Sequence, residues 1–479
     1  MDVAPQIAAG RTPVNPQIFR EYDIRGIVDQ DLTAPVLEAI GRAYGTWLYA
    51  QDPAPAPAAP RKRVAVGRDV RLSSRRFATA LIAGLRQAGC DVIDVGEVPT
   101  PVLYFAVGYL DTDGGIEVTA SHNPPQFNGL KMRKRLQGRN APLSTPEVQE
   151  IGRLAVADQR AIAREAGSYQ EQPILEFYKS YIVATVQPAR KLKAVVDAGN
   201  GACGPTAVDL YTRMGVEVVP LYIEPDGTFP NHMPNPLKEE NMVDLQAKVR
   251  ETGADIGIGL DGDGDRLGVV DNAGHILWPD QYMILLAREV LTRPGAPIIF
   301  DVKCSRALIE DIAQHGGVPL MWRTGYTNIF AKRLETGAPF AGEYSGHMFF
   351  DDPRLDFDDG MYAGARLLRA LGGDDRPISA RFAEVRHYYN TPEGRLDVAE
   401  AHKFGIIQRL IAQFQQHYQV VTLDGARVEF PDGWFLIRAS NTEPSLTTRF
   451  EAETPERLVE IQGILRTALQ AFPEVTVNF

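Results

Sequence analysis

Short apolar runs that end in a charged turn, each followed by an amphipathic helical pattern that stops at glycine, recur three times along the chain. Val64-Ala65-Val66-Gly67-Arg68-Asp69 is followed by a helical pattern over 77–88, Gly89, and a second apolar run over 91–95. Ala194-Val195-Val196-Asp197 repeats this with a Gly-rich turn over 199–204, a helix over 206–214, Gly215 and a strand over 216–219. Ile298-Ile299-Phe300-Asp301 opens a third copy, with a helix over 306–314, Gly316-Gly317 and a strand over 318–321. Strands buried on both faces lack polar alternation, and helices that end at glycine return the chain for the next strand, so the pattern predicts βαβ units in mixed or parallel sheets.

The last hundred residues change character. A helix over 402–416 precedes alternating strands over 428–430, 434–438 and 447–451, then a helix over 455–471 and a final strand over 475–477. Strands grouped with two helices predict a smaller α+β domain. The expected fold is α/β: three related mixed domains over 1–168, 169–275 and 276–384, plus an α+β domain over 385–479, around a central cleft. Near the start, a helix over 36–48 is followed by the proline-spaced segment 51–60, expected to be an extended surface loop.

Composition narrows the function classes. The 479 residues, 44% hydrophobic and 23% charged, are ordinary for globular protein, and their number exceeds what one core usually holds. A net charge of −11 argues against nucleic-acid or anionic membrane surfaces. No apolar run approaches about 18 residues, and residues 1–10 lack a basic start followed by an apolar core, so a cytoplasmic protein is expected. Cys90, Cys203 and Cys304 are an odd number, spaced far apart and without Cys-x-x-Cys or Cys/His pairing, so neither a zinc site nor a disulfide framework is expected.

Four loops carry candidate chemistry. Val118-Thr119-Ala120-Ser121-His122-Asn123-Pro124-Pro125 places Ser121 at a strand exit, since the paired prolines forbid a helix or central strand directly after it. Alone, such a serine is a turn residue. Gly259-Leu260-Asp261-Gly262-Asp263-Gly264-Asp265-Arg266 lies between two predicted strands, and its three alternating carboxylates can converge on one hard divalent cation. It is not an EF-hand, because Arg266 stands where that loop needs glycine, Asn272 where it needs glutamate, and strands flank it. Three carboxylates leave room in an octahedral Mg²⁺ shell for a phosphate oxygen. Gly342-Glu343-Tyr344-Ser345-Gly346-His347 offers the donors and acceptors a hydroxyl-rich ligand requires. Arg438-Ala439-Ser440-Asn441-Thr442-Glu443-Pro444 is a candidate phosphate cradle.

One per predicted domain and in this order, the loops resemble those of the α-D-phosphohexomutases, over a span that starts at Glu21-Tyr22-Asp23-Ile24-Arg25-Gly26. The bacterial phosphomannomutase/phosphoglucomutase group is the part of that superfamily the chain resembles. The resemblance implies a phosphoryl-carrying Ser121, with Mg²⁺ bound by Ser121, Asp261, Asp263 and Asp265. Arg25, Lys131, Arg266 and His122 would serve the transferring phosphoryl. Glu343, Tyr344, Ser345, Gly346 and His347 would read the sugar, and Tyr22, Lys303, Arg438, Ser440, Asn441 and Thr442 would bind the phosphate that is not reacting. Tyr326 stands where bacterial dual-specificity members usually carry histidine, so it is expected to bind ligand only.

The expected activity is interconversion of hexose 1- and 6-phosphates through a phosphoserine and a hexose 1,6-bisphosphate that reorients in the cleft. The expected partners are hexose phosphates, with the bisphosphate as activator, and the expected state is a monomer. The rival expectations are a phosphoglucosamine mutase, a non-catalytic sugar-phosphate sensor that would not need Ser121, and a Ca²⁺-binding module.

Overall fold

The structure, a computed structural model, describes residues 13–51, 61–136, 138–158, 165–440 and 444–479. The predicted loop 51–60 lies outside them except for Gln51. Two compact units divide the chain: the described residues up to Ile276 together with Asp352–Asp375, and Leu277–Asp351 together with the described part of Arg376–Phe479.

The first unit holds two sheets. One contains β1 (Ile24–Ile27), β2 (Arg63–Arg68), β3 (Asp91–Glu97), β4 (Gly114–Val118), β5 (Phe127–Leu136), β6 (Arg139–Pro142) and β7 (Tyr169–Glu171), in the order β1-β5-β4-β2-β3-β7 with β6 on β5. The other contains β8 (Lys193–Asp197), β9 (Glu217–Leu221), β10 (Ile256–Leu260), β11 (Leu267–Asp271) and the short β12 (Ile276–Leu277) where the unit ends, in the order β9-β8-β10-β11-β12. In the second unit, β13 (Pro297–Asp301), β14 (Val318–Trp322), β15 (Phe340–Gly342) and β16 (Met348–Phe350) run β14-β13-β15-β16. Its other sheet, of β17 (Tyr389–Asn390), β18 (Gly394–Asp397), β19 (Gln419–Val421), β20 (Ala426–Phe430), β21 (Gly433–Ala439) and β22 (Ser445–Ala452), is antiparallel throughout.

The three sequence repeats share one topology. A first strand has its helix-connected successor parallel on one side and a third strand parallel on the other. A fourth strand then turns back antiparallel to the third. The α/β class and the mixed sheets are therefore as expected, with an antiparallel sheet closing the chain. This topology puts the Ser121 loop between β4 and β5, the Asp261 loop between β10 and β11, and the Glu343 loop between β15 and β16. Three of the four candidate loops are equivalent positions of one repeated unit.

Packing follows the apolar pattern. Ile116, Val118, Leu130 and Met132 face one core with Leu37, Ile40 and Tyr44 of the helix Ala34–Ala50 and Phe77, Leu81 and Leu85 of the helix Ser74–Gln87. The predicted strand at 475–477 does not form; Val475 is buried in the last sheet's core without pairing. The helix Gly360–Gly372, capped by the Asp359 carboxylate on Tyr362 N at 2.8 Å, belongs to the first unit, although it follows β16 in sequence. Among the described residues no helix is long and apolar enough to cross a membrane.

Candidate active site

Ser121 leaves the buried strand β4 with φ 51°, the left-handed region that costs a non-glycine residue about 1–2 kcal/mol. Its amide donates to Thr119 Oγ1 at 2.9 Å, and its hydroxyl donates to Asp261 Oδ2 at 2.8 Å. His122 Nδ1 lies 3.2 Å from the same hydroxyl. Burial, with the Arg266 and Arg25 charges, holds the His122 imidazole well below its usual pKa, so it is neutral near pH 7.

The hairpin β10–β11 closes at Leu260 and Leu267, and Asp261, Asp263 and Asp265 fill its tip, all fully buried. The two glycines between them are required for different reasons. Gly264 has φ +82°. Gly262 does not need an unusual φ; a Cβ there would stand 2.5 Å from Ser121 O, so it lets the two loops touch. Gly264 N and Arg266 N each donate to Asp261 Oδ1 at 3.1 Å.

Cross-strand register delivers the cation. Glu117 and Lys131 are partners on β4 and β5, and strand alternation turns both away from the face bearing Ile116 and Met132. Lys131 Nζ donates to Asp263 Oδ2 at 2.7 Å and also to Asp265 Oδ2. Thr100 Oγ1 donates to the same Asp263 oxygen at 2.5 Å. Burial pushes the Asp263 carboxyl up, but the Lys131 charge and these hydrogen bonds outweigh it and hold the pKa below the usual range. Burial and the charges of Asp265 and Asp263 push Asp261 up to about 8. Arg25 Nη1 donates to Thr119 O at 2.7 Å, and Arg266 Nε lies 3.9 Å from Asp261 Oδ2. Tyr22 is half-buried in the turn before β1.

A divalent cation fits the residues present. One ligand oxygen from each of Asp261, Asp263 and Asp265 can be chosen so that all lie within 4.8 Å of one another, and among the described residues Asp263 Oδ1 is buried without a hydrogen-bond partner. Such an atom is costly unless something positive meets it.

In the second unit, Glu343 accepts from Gly325 N at 2.5 Å and from Ser345 Oγ at 3.2 Å, and burial raises its pKa. Gly346, at φ +87°, closes the turn, donating to Glu343 O at 3.0 Å. The Tyr344 ring lies 3.8 Å from the Arg449 guanidinium, and Tyr326 packs 5.7 Å from the His347 ring. Lys303 Nζ donates to Glu393 at 3.1 Å, Arg438 Nε to Asp424 at 3.0 Å, and Ser440 N to Ser445 O at 2.9 Å. Asn441 and Thr442 lie outside the described residues.

Four participants had no signal strong enough to single them out. Thr100 sits between two prolines, Arg71 follows the charged turn after β2, and Asp424 and Glu393 lie in unremarkable polar stretches. Glu117 is a fifth case of its own kind: a fully buried carboxyl, both of whose oxygens lack a hydrogen-bond partner among the described residues.

Comparison with known proteins matches four family models in order. These are the phosphoglucomutase/phosphomannomutase alpha/beta/alpha domains I, II and III over residues 16–160, 175–274 and 278–389, and the C-terminal domain of the same family over 393–468. A phosphomannomutase/phosphoglucomutase from Pseudomonas aeruginosa is 45% identical over 468 residues, 97% of this chain and 98% of that protein. A phosphoglucomutase from Neisseria gonorrhoeae is 41% identical over 462 residues, 96% of this chain and 98% of that one. The crystal structure of a phosphoglucomutase/phosphomannomutase family protein from Burkholderia thailandensis matches with a TM-score of 0.89 at 44% identity, covering 97% of this chain and 100% of that one.

Proposed function

The chain belongs to the phosphoglucomutase/phosphomannomutase family, and we propose that it interconverts the 1- and 6-phosphates of glucose and mannose with Ser121 as the phosphoryl carrier. It is a phosphohexomutase enzyme. The observation that carries the assignment of Ser121 is its hydroxyl, 2.8 Å from Asp261 Oδ2, at a left-handed strand exit facing three buried carboxylates.

Phosphorylated Ser121 gives its phosphoryl group to the free hydroxyl of a hexose monophosphate. The bond from phosphorus to Oγ breaks, a bond from phosphorus to the sugar oxygen forms, the sugar hydroxyl loses its proton, and Ser121 Oγ regains one. The bisphosphate turns and returns its other phosphoryl to Ser121. Little covalent chemistry is asked of the protein, so positioning and charge neutralisation dominate. Lys131, Arg25 and Arg266 supply the positive charge. Neutral His122 can hold a proton at Nδ1 beside Oγ. Asp261, Asp263 and Asp265, with the Ser121 group, would hold Mg²⁺, which when bound neutralises phosphoryl-oxygen charge.

Glu343 and Ser345, with Tyr344, Gly346 and His347, are assigned to sugar hydroxyls. Tyr22, Lys303, Arg438, Ser440, Asn441 and Thr442 are assigned to the distant phosphate, and Tyr326 to ligand contact. Supporting the phosphate assignment, Lys303 and Arg438 are buried cations held by Glu393 and Asp424, ready to exchange a carboxylate for a phosphate. The same proposal divides the chain at 168, 275 and 384, and takes hexose 1,6-bisphosphate as activator of a cytoplasmic monomer.

Purified protein with Mg²⁺ and catalytic glucose 1,6-bisphosphate tests this. Turnover of glucose and mannose 1-phosphates well above that of glucosamine 1-phosphate is expected. Preference for the amino sugar would reassign the chain to phosphoglucosamine turnover, and ligand binding without any turnover would make it a sensor.

A further inference from the structure

Arg71 is a buried cation that the reaction above does not use, and the Ser121 loop is built around it. Its side chain is 0% exposed. Nη2 donates to Ser121 O at 2.8 Å and Asn123 O at 2.6 Å. Nη1 donates to Pro124 O at 2.8 Å and Phe127 O at 3.1 Å. Nε donates to Asp69 Oδ2 at 3.1 Å, and Asp69 is itself held by Ser74 Oγ at 2.5 Å. A guanidinium has five N–H donors in a planar fork, and all five are spent here. None is left for a phosphate, so Arg71 is not a substrate ligand.

The internal repeat bears on the same point independently. In each repeat the end of the first strand or the loop after it holds the loop after the third. In the second repeat, Ala202 N donates to Gly262 O at 2.9 Å; in the third, Asp301 Oδ1 accepts from Tyr344 N at 3.2 Å. Among the described residues, only in the first repeat does one side chain gather four carbonyls, and that loop contains the one non-glycine residue of the three loop tips with positive φ.

We propose that Arg71 is a positioning residue for phosphoryl transfer: by holding Ser121 O and the three carbonyls beyond it, Arg71 keeps Ser121 in the left-handed backbone that aims Oγ at Asp261 Oδ2. This rests on Ser121 being the carrier. Lysine would keep the charge but not the fork, since its three donors radiate from one nitrogen and cannot reach four carbonyls in a plane. With the loop free to relax, Oγ moves off the line of transfer, and a displacement of about 1 Å costs about 100-fold in rate. The hexose-phosphate groups assigned in the second unit are untouched, so the loss falls on kcat rather than KM.

The test compares wild type, Arg71→Lys and Arg71→Ala. Each is incubated with glucose 1,6-bisphosphate and Mg²⁺, phosphoryl transfer to Ser121 is followed by intact mass and peptide mapping, and kcat, KM and melting temperature are measured. The expected result is rapid phosphorylation of wild type, about 100-fold lower kcat for Arg71→Lys with KM nearly unchanged, and recovery of Arg71→Ala by methylguanidinium but not by ethylammonium. Wild type that turns over without phosphate on Ser121 overturns the carrier assignment and this proposal with it. Wild type phosphorylated on Ser121 beside an Arg71→Lys protein of near-normal kcat overturns the positioning role alone. Should Arg71→Lys melt early, the methylguanidinium arm decides: equal recovery by ethylammonium makes Arg71 a matter of charge and refutes the fork.

Discussion

Lys131→Met removes the ammonium that Asp263 and Asp265 share, leaving two carboxylates at 0% and 1% side-chain exposure without it. Breaking a buried ion pair from one side costs about 3–5 kcal/mol. The protein has one escape, which sets a ceiling. At pH 7 a carboxyl whose ordinary pKa is 3.8 can take up a proton for about 4 kcal/mol, at 1.36 kcal/mol per pH unit. A deficit of about 3–4 kcal/mol is therefore expected in EDTA, which at about 2–4 °C per kcal/mol lowers the first unit's melting temperature by roughly 6–16 °C. Mg²⁺ should narrow the gap, because it enters the variant's site without displacing an ammonium. Ten-fold tighter binding returns about 1.4 kcal/mol. Calorimetric melting with EDTA and with Mg²⁺, beside Mg²⁺ titration, checks both numbers. A deficit below about 1 kcal/mol in EDTA, or a gap that widens with Mg²⁺, would refute the account of Lys131 as counter-charge to the carboxylate loop.

Ser121→Ala is expected to lose at least about 1,000-fold in turnover while still binding glucose 6-phosphate in calorimetry; near-normal turnover would reject the phosphoserine route. Gly262→Ala puts a methyl 2.5 Å from Ser121 O, so kcat should fall about 100-fold while the fold survives with a cost of about 1–3 kcal/mol, measured by steady-state kinetics and melting. For Glu117, burial and then the charges of Asp69 and Asp263 raise the folded pKa well above 4.5. Its stability contribution is therefore full below pH 4.5, where folded and unfolded chains are both protonated, and is lost as pH rises toward the folded value, because only the unfolded chain ionises. Glu117→Gln should melt progressively higher than wild type as pH is raised from about 5 to about 8, and parallel profiles would contradict this.

The three repeats were legible from residue order, because burial of a strand on both faces and of one helix face leaves a local apolar signature. The first-repeat strand Arg63–Arg68 and the third-repeat helix Arg306–Gln314 lie where the pattern put them. The carboxylate loop was legible too, since three acidic groups so close are unfavourable without a cation. The 475–477 strand was not, because an apolar alternation says that Val475 is buried but not whether a paired edge is within reach. Residue order also could not assign Gly360–Gly372 to the first unit, because a helix's amphipathic face does not name the sheet it covers.

What the chain alone determined was the set of local units and the chemistry each loop could offer. Tertiary structure decided the partners. Arg71 reaches carbonyls 50 or more positions away, Lys131 reaches Asp263 across 132, and Ser121 reaches Asp261 across 140. Those meetings depend on the β4–β5 register and on Gly262 admitting one loop against another. Local propensity acts within a turn or a strand, whereas a side chain's partner is set by where separate strands finish packing, and this is why the Ser121 loop was visible in the sequence and the guanidinium holding it was not.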